Sequence, residues 1–144
     1  MIPELFMRLQ EACQNEIDTL HRCFEDWFNG RVPRTAEAFD RIDTALGEAF
    51  VIVMPQGSKL ERAPLLKGLY DAHTGRQGIR IWIENVRVLE EDQALVVAEY
   101  EEWQTEDGET TSRHSTAVFR RSEEKPNGLE WLRVHETWFD RRPA

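Results

Sequence analysis

The sequence predicts an α+β fold, with helices packed on one side of a curved antiparallel sheet. Apolar residues recur every three or four positions through the first part of the chain. From Ile79 onward they alternate instead with period two. Asp107-Gly108 then separates two such alternating runs, and this dipeptide is the strongest short hairpin signal because a type I′ turn needs positive φ at both central positions.

From Pro3 to Asn29 the stripe Phe6, Leu9, Cys13, Ile17, Leu20, Phe24, Trp27 and Phe28 predicts one long amphipathic helix. Pro3 suits its first turn, where no donor is lost, and Asn29-Gly30 offers a left-handed stop. His21 falls on this helix, and His73 on a later one, with no partner suggested for either. Thr35 is placed to cap a second helix, with Glu37 in its first turn, Phe39, Ile42 and Leu46 facing inward and Gly47 ending it. The apolar run over 48–54 reads as a strand, followed by a turn at Pro55-Gln-Gly57. Ser58-Lys-Leu-Glu61 has the form of a capping box. Pro64 would then interrupt the helix interior, so the third helix is placed from near Pro64 to about His73.

Strands follow over 79–89, 94–103, 111–119 and 129–139. With Asp107-Gly108 as the turn, Glu102 faces Arg113, Tyr100 faces Ser115, Ala98 faces Ala117 and Val96 faces Phe119. A four-residue loop at Glu124-Lys-Pro-Asn127 sets Leu132 opposite Phe119, Val134 opposite Ala117, Glu136 opposite Ser115 and Trp138 opposite Arg113. A tight turn at Glu91-Asp92 sets Ile83 opposite Tyr100 and Ile81 opposite Glu102. The inner face then carries Ile81, Ile83, Val96, Ala98, Tyr100, Ala117, Phe119, Leu132, Val134 and Trp138. The outer face carries Trp82, Val97, Glu99, Glu101, His114, Val118, Trp131, Arg133 and His135. A face rich in Trp and Val yet half polar suits a subunit interface, so a homodimer through the outer face is expected.

Length and composition narrow the functional classes. A chain of 144 residues, 40% apolar and 31% charged, is expected to form a single globular domain with a real core. Net charge is −9 with no basic run, which argues against nucleic acid as a partner. The longest apolar run, 49–54, cannot cross a bilayer, and the first residues lack the features of a signal peptide. A cytoplasmic protein is expected. Cys13 and Cys23 lie ten positions apart on one helix, roughly 15 Å along its axis, and are expected as small buried hydrophobes. No phosphate loop, dinucleotide fingerprint or nucleophile elbow is present, and two strand histidines with scattered carboxylates do not form a metal-ligand pattern. Neither cofactor nor metal is expected.

The helix ending Phe24-Glu-Asp-Trp-Phe-Asn-Gly30, the run Phe50-Val-Ile-Val-Met-Pro55, and the meander with Ala98-Glu-Tyr-Glu-Glu-Trp103 and His135-Glu-Thr-Trp138 resemble the nuclear transport factor 2-like superfamily, closest to its SnoaL-like branch. The resemblance spans about Pro3 to Phe139. It implies a cone-shaped curved antiparallel sheet packed on the long N-terminal helix and two shorter ones, with a pocket inside, commonly as a homodimer. Members include isomerases, epoxide hydrolases, dehydratases and cyclases as well as association modules, so the fold alone does not choose a function.

Within such a cone Glu102, Arg113 and Glu136 point inward and are the candidate catalytic residues. Two carboxylates around an arginine can separate their pKa values, leaving one ionised and one able to exchange a proton. The alternative is a structural network, with a Glu102–Arg113 ion pair and Glu136 accepting from Tyr100 or Ser115. Candidate ligand-binding residues are Trp27, Phe28, Tyr100, Glu102, Arg113, Ser115, Glu136 and Trp138. Three functions follow: binding of a small apolar molecule with one polar handle, an isomerase, hydrolase or cyclase chemistry, or a dimeric association module whose cone is plugged by Trp27, Phe119 and Trp138.

Overall fold

The computed structural model describes residues 3–139, with side chains from Met7 onward, so the expected inward placement of Phe6 lies outside the described residues. The first helix, α1 (Pro3–Phe28), buries Leu9, Cys13, Ile17, Leu20, Trp27 and Phe28 along its stripe. Each large apolar side chain removed from water contributes about 1.5–3 kcal/mol, enough in sum to fix which face of the helix meets the sheet. Gly30 ends the turn at φ +69°.

Thr35 caps α2 (Ala36–Ala45), its hydroxyl accepting from Ala38 N–H at 3.1 Å. Gly47 does not terminate this helix. The chain is already extended at Leu46, and β1 (Leu46–Val53) begins there. Gly47 is instead a close-approach position in the strand. A Cβ there would lie 3.0 Å from Glu130 Oε1 and 3.3 Å from the Trp131 carbonyl oxygen.

The capping-box pattern at Ser58 is in fact the start of a short strand, β2 (Lys59–Glu61), antiparallel to β1. Helix α3 (Arg62–Asp71) follows directly. Pro64 is its third residue, in the first turn, where the missing N–H has no intrahelical partner to lose. The meander comprises β3 (Arg80–Glu91), β4 (Leu95–Glu106), β5 (Glu109–Arg121) and β6 (Leu129–Trp138). The sheet order is β2-β1-β6-β5-β4-β3. All pairs in the meander are antiparallel, and β1 joins β6 in parallel.

The β4–β5 register is the expected one along its whole length, from Glu106–Glu109 to Val96–Phe119 and Leu95–Arg120. Asp107 at φ 53° and Gly108 at φ 81° form the turn that sets it. Two other registers differ from expectation. Trp131, not Leu132, stands opposite Phe119, and the register shifts between Val118 and Phe119 before Val134 meets Ala117 as expected. Leu132 is the extra residue of a bulge. One inserted residue reverses the alternation, so Trp131 turns inward, 1% exposed, against Phe119 at 4.6 Å between ring centroids.

In β3, Ile83 pairs with Glu102 and Ile81 with Gln104, two positions from the expected register. The turn is wider because Asp92 Oδ1 accepts from Ala94 and Leu95 N–H, closing a loop through a side chain. Bulges then shift the pairing near Asn85, whose φ is 55°, and bring Val86 and Val88 inward. The exposed edge of β3 is covered by α1. Gln10 donates to Val86 C=O at 2.7 Å and accepts from Val88 N–H at 3.0 Å, while Glu25 accepts from Ile81 N–H at 2.7 Å. No helix among the described residues is long and apolar enough to cross a membrane.

Candidate functional site

The concave side of the sheet, α1 and α3 line a half-open cavity of about 150 Å³. Leu20, Phe24, Phe28, Phe50, Leu69 and Trp131 form apolar walls, and the polar lining consists of His21, Arg76, Tyr100, Glu102, Gln104, Arg113 and Glu136. Strand alternation places Tyr100, Glu102 and Gln104 on one face of β4, with Arg113 and Glu136 beside them on β5 and β6.

His21 reaches this cluster from α1. Its Nδ1 lies 2.8 Å from the Ile17 carbonyl oxygen, and its Nε2 lies 3.1 Å from Glu102 Oε1. A carbonyl and a carboxylate both accept, so both ring nitrogens carry protons and His21 is an imidazolium paired with ionised Glu102. Burial works against charge on His21, but the Glu102 charge and hydrogen bond outweigh it and raise the pKa. Burial likewise opposes ionisation of Glu102, yet His21, Arg113 and Gln104 together hold its carboxyl well below the usual range. Its second oxygen accepts from Gln104 Nε2 at 2.6 Å. Gln104 Oε1 in turn accepts from Arg76, which Glu106 anchors at 2.7 Å. The expectation that His21 has no partner is therefore corrected. His73 also has one, the Val32 carbonyl at 2.6 Å.

Glu136 is in the opposite condition. Burial, then repulsion from Glu102, push its carboxyl up to about 7 against the opposing pull of Arg113 and His21. Its contacts are long, at 3.3 Å to Arg113 Nη1 and 3.4 Å to Ser115 Oγ, so they stabilise its ionised form only weakly. Tyr100 is pushed well above the ordinary phenol value by burial and by the two carboxylates, and stays neutral. The cluster thus holds one fixed ion pair, one arginine and one carboxyl that exchanges its proton near neutral pH.

Of the residues expected to form a site, Phe28, Tyr100, Glu102, Arg113 and Glu136 line the cavity, while Trp27, Ser115 and Trp138 do not. Trp27 is buried behind the wall, donating to the Leu69 carbonyl at 2.8 Å and packing on Phe39 and Tyr70. Ser115 lies beneath Glu136. Trp138 is 49% exposed, and the Arg113 guanidinium lies 5.0 Å from its ring centroid. Arg113 stands opposite Glu102 as expected, but its ion pair is with Glu136 and not with Glu102 as the structural-network alternative has it. His21 and Trp131 were missed as lining residues. His21 is four positions after Ile17 and three before Phe24, so it lies in phase with the apolar stripe. That phase was its one signal.

On the outer face Trp82 and Trp103 stack at 6.0 Å, and His114 stacks on Phe139 at 4.2 Å. His135 accepts from Arg133 Nε at 2.8 Å. Among the described residues no group of three or more metal-ligating side chains converges. Cys13 and Cys23 are free.

A bent sheet closed by helices around a polar-ended cavity defines a nuclear transport factor 2-like protein. The chain belongs to the sucrose-6-phosphate phosphohydrolase C-terminal family, whose model matches residues 13–140. It is similar to a nuclear transport factor 2-like protein of unknown function from Pseudomonas aeruginosa, with 28% identity, 90% of this chain and 99% of that one covered, and a TM-score of 0.81. Its fold is also that of the S. rosetta CaMKII hub, at 13% identity, 90% and 95% coverage and a TM-score of 0.69. A type 2 hexachlorocyclohexane dehydrochlorinase matches at 8% identity, 98% and 93% coverage and a TM-score of 0.66. No curated protein matches the chain.

Proposed function

We propose that this protein binds a small, largely apolar molecule inside the cone, acting as a cytoplasmic homodimer. One observation carries the reading: apolar walls line a half-open cavity that ends in a cluster of buried charged groups. A packed structural core would fill such a void, whereas ligand sites combine apolar walls with a few convergent polar groups. At about 150 Å³ the space suits a body the size of a benzene ring and is small for a drug-sized compound. The sugar phosphate in the family's name is larger than this space.

Native mass spectrometry of the purified protein tests this reading. A retained small molecule, lost in an Ile52→Trp variant that adds bulk to the cavity lining, is the expected result. Absence of any retained ligand, together with no stabilisation by any benzene-sized compound, would count decisively against it.

A second reading is proton-transfer catalysis, with Glu136 as the acid or base, Arg113 stabilising its charge and Tyr100 as a hydrogen-bond donor. The position of Glu136 near neutrality inside the cavity favours it. A dehydrochlorinase of the same fold gives it context without assigning the reaction. The test is turnover: Glu136→Gln should retain binding and lose reaction.

The homodimer rests on the outer face, where half-buried Trp82 and Trp103 stack beside His114 and Phe139 amid paired charges such as Arg87–Glu99. A second copy related by a two-fold axis would bury this aromatic band. Similarity of fold to CaMKII association domains supports self-association. Two free cysteines fit a reducing compartment. Sedimentation giving a monomer at micromolar concentration would remove the dimer from this proposal.

A further inference from the structure

Resting on the reading of the cone as a small-molecule pocket, we infer that its ligand is an anion: a monocarboxylate with an apolar body of about benzene size, held by Arg113. Arg113 lines the cavity with its side chain 11% exposed, and its guanidinium makes a single hydrogen bond among the described residues, a long one from Nη1 to Glu136 at 3.3 Å. A guanidinium so little engaged in a near-buried site is rare, and the group that best satisfies its terminal nitrogens is a carboxylate, which can take two parallel N–H bonds from the guanidinium fork.

The neighbouring acids do not meet this need. Both Glu102 oxygens are engaged, one by His21 and the other by Gln104. Glu136 touches Arg113 only through Nη1, at 3.3 Å. The other cation of the lining, Arg76, is occupied by Glu106 and Gln104. The groups facing Glu136 are His21 from α1, Tyr100 and Glu102 from β4, and Arg113 and Ser115 from β5. With His21 and Arg113 positive, Glu102 negative and Tyr100 neutral, the cluster is net positive whenever Glu136 holds its proton. That is the state which attracts an anion. The void lies against Phe24, Phe28, Phe50 and Trp131, and an apolar cavity of about 150 Å³ is known to hold benzene.

Benzoate and benzyl alcohol, compared by titration calorimetry, separate this inference from the reading beneath it. At about pH 6 the wild-type protein should bind benzoate at least about tenfold more tightly than the alcohol, the size expected of a charged hydrogen bond. The preference should shrink as pH rises past 7, by at most about tenfold per unit, as Glu136 ionises. Arg113→Gln should remove the preference by weakening benzoate binding far more than alcohol binding. If that variant does not fold, Glu136→Gln serves instead, and should keep the preference while losing its pH dependence. Equal or better binding of benzyl alcohol by the wild type overturns the anion assignment and leaves the pocket standing. Failure of both probes overturns both readings, and an unchanged preference in folded Arg113→Gln overturns the role of Arg113.

Discussion

His21 Nε2 on α1 stands 3.1 Å from Glu102 Oε1 on β4, an ion pair formed by residues 81 positions apart and almost wholly removed from solvent. It ties the long helix to the floor of the cone at the point where the cavity becomes polar. A buried pair of this kind adds little net stability over apolar packing, but loss of one partner leaves the other charge uncompensated.

His21→Leu should therefore destabilise the fold by about 3–5 kcal/mol, and the double variant with Glu102→Leu should recover much of that loss. Guanidinium denaturation midpoints measure both. Equal destabilisation by single and double variants would show that the two residues act independently.

Glu136 gives stability a distinctive pH dependence. Its folded-state pKa is raised from 4.5 to about 7, so the native state holds this proton more tightly than the unfolded chain, and its contribution is lost as pH rises through 7. His21 acts in the same direction, its contribution complete below 6.5 and lost as pH rises through its raised value. Glu102, with a lowered pKa, contributes above 4.5 and loses that contribution only in strong acid, near 2. Stability from these three groups is greatest near pH 4.5 and falls from there toward 7 as the Glu136 share is lost. Glu136→Gln should gain on the wild type across pH 4.5 to 7, by about 1–3 kcal/mol at the top of that range. Parallel stability profiles for the two proteins would rule out a raised Glu136.

Glu16 is a second buried carboxylate on α1, 1% exposed. It accepts from Arg41 at 2.7 Å, Trp131 Nε1 at 2.8 Å and Asn127 at 2.9 Å. It joins α1 to α2, to the β5–β6 loop and to the bulged residue pair of β6. Glu16→Ala leaves three donors without their acceptor and should cost about 3–5 kcal/mol, with altered Trp131 fluorescence. Glu16→Gln, which keeps one carbonyl acceptor, should cost less.

Gln10 acts as a substitute strand for the edge of β3, through Val86 C=O and Val88 N–H. Gln10→Ala should cost about 1–2 kcal/mol and speed hydrogen exchange at Val88 while leaving the β4–β5 ladder protected. Unchanged exchange at Val88 would show that burial alone protects that edge.

Much of this molecule was legible in its residues. The stripe from Leu9 to Phe28 determined the long helix, and Asp107-Gly108 determined the β4–β5 register and with it the inward direction of Tyr100, Glu102 and Arg113. Both signals are local: a helix face repeats within two turns, and a two-residue turn leaves one pairing that satisfies both strands. Where Trp131 and Val86 point, and which group His21 meets, was decided by tertiary structure. The bulges at Leu132 and near Asn85 insert a single residue and reverse the alternation on which every inward assignment beyond them depends, without changing the hydrophobic pattern of the strand. His21 and Glu16 sit in phase with the apolar stripe, but whether a polar side chain there is a charged partner depends on strands arriving from the far end of the chain. That is why the ion pair, the cavity and the proton held by Glu136 exist only in the folded molecule.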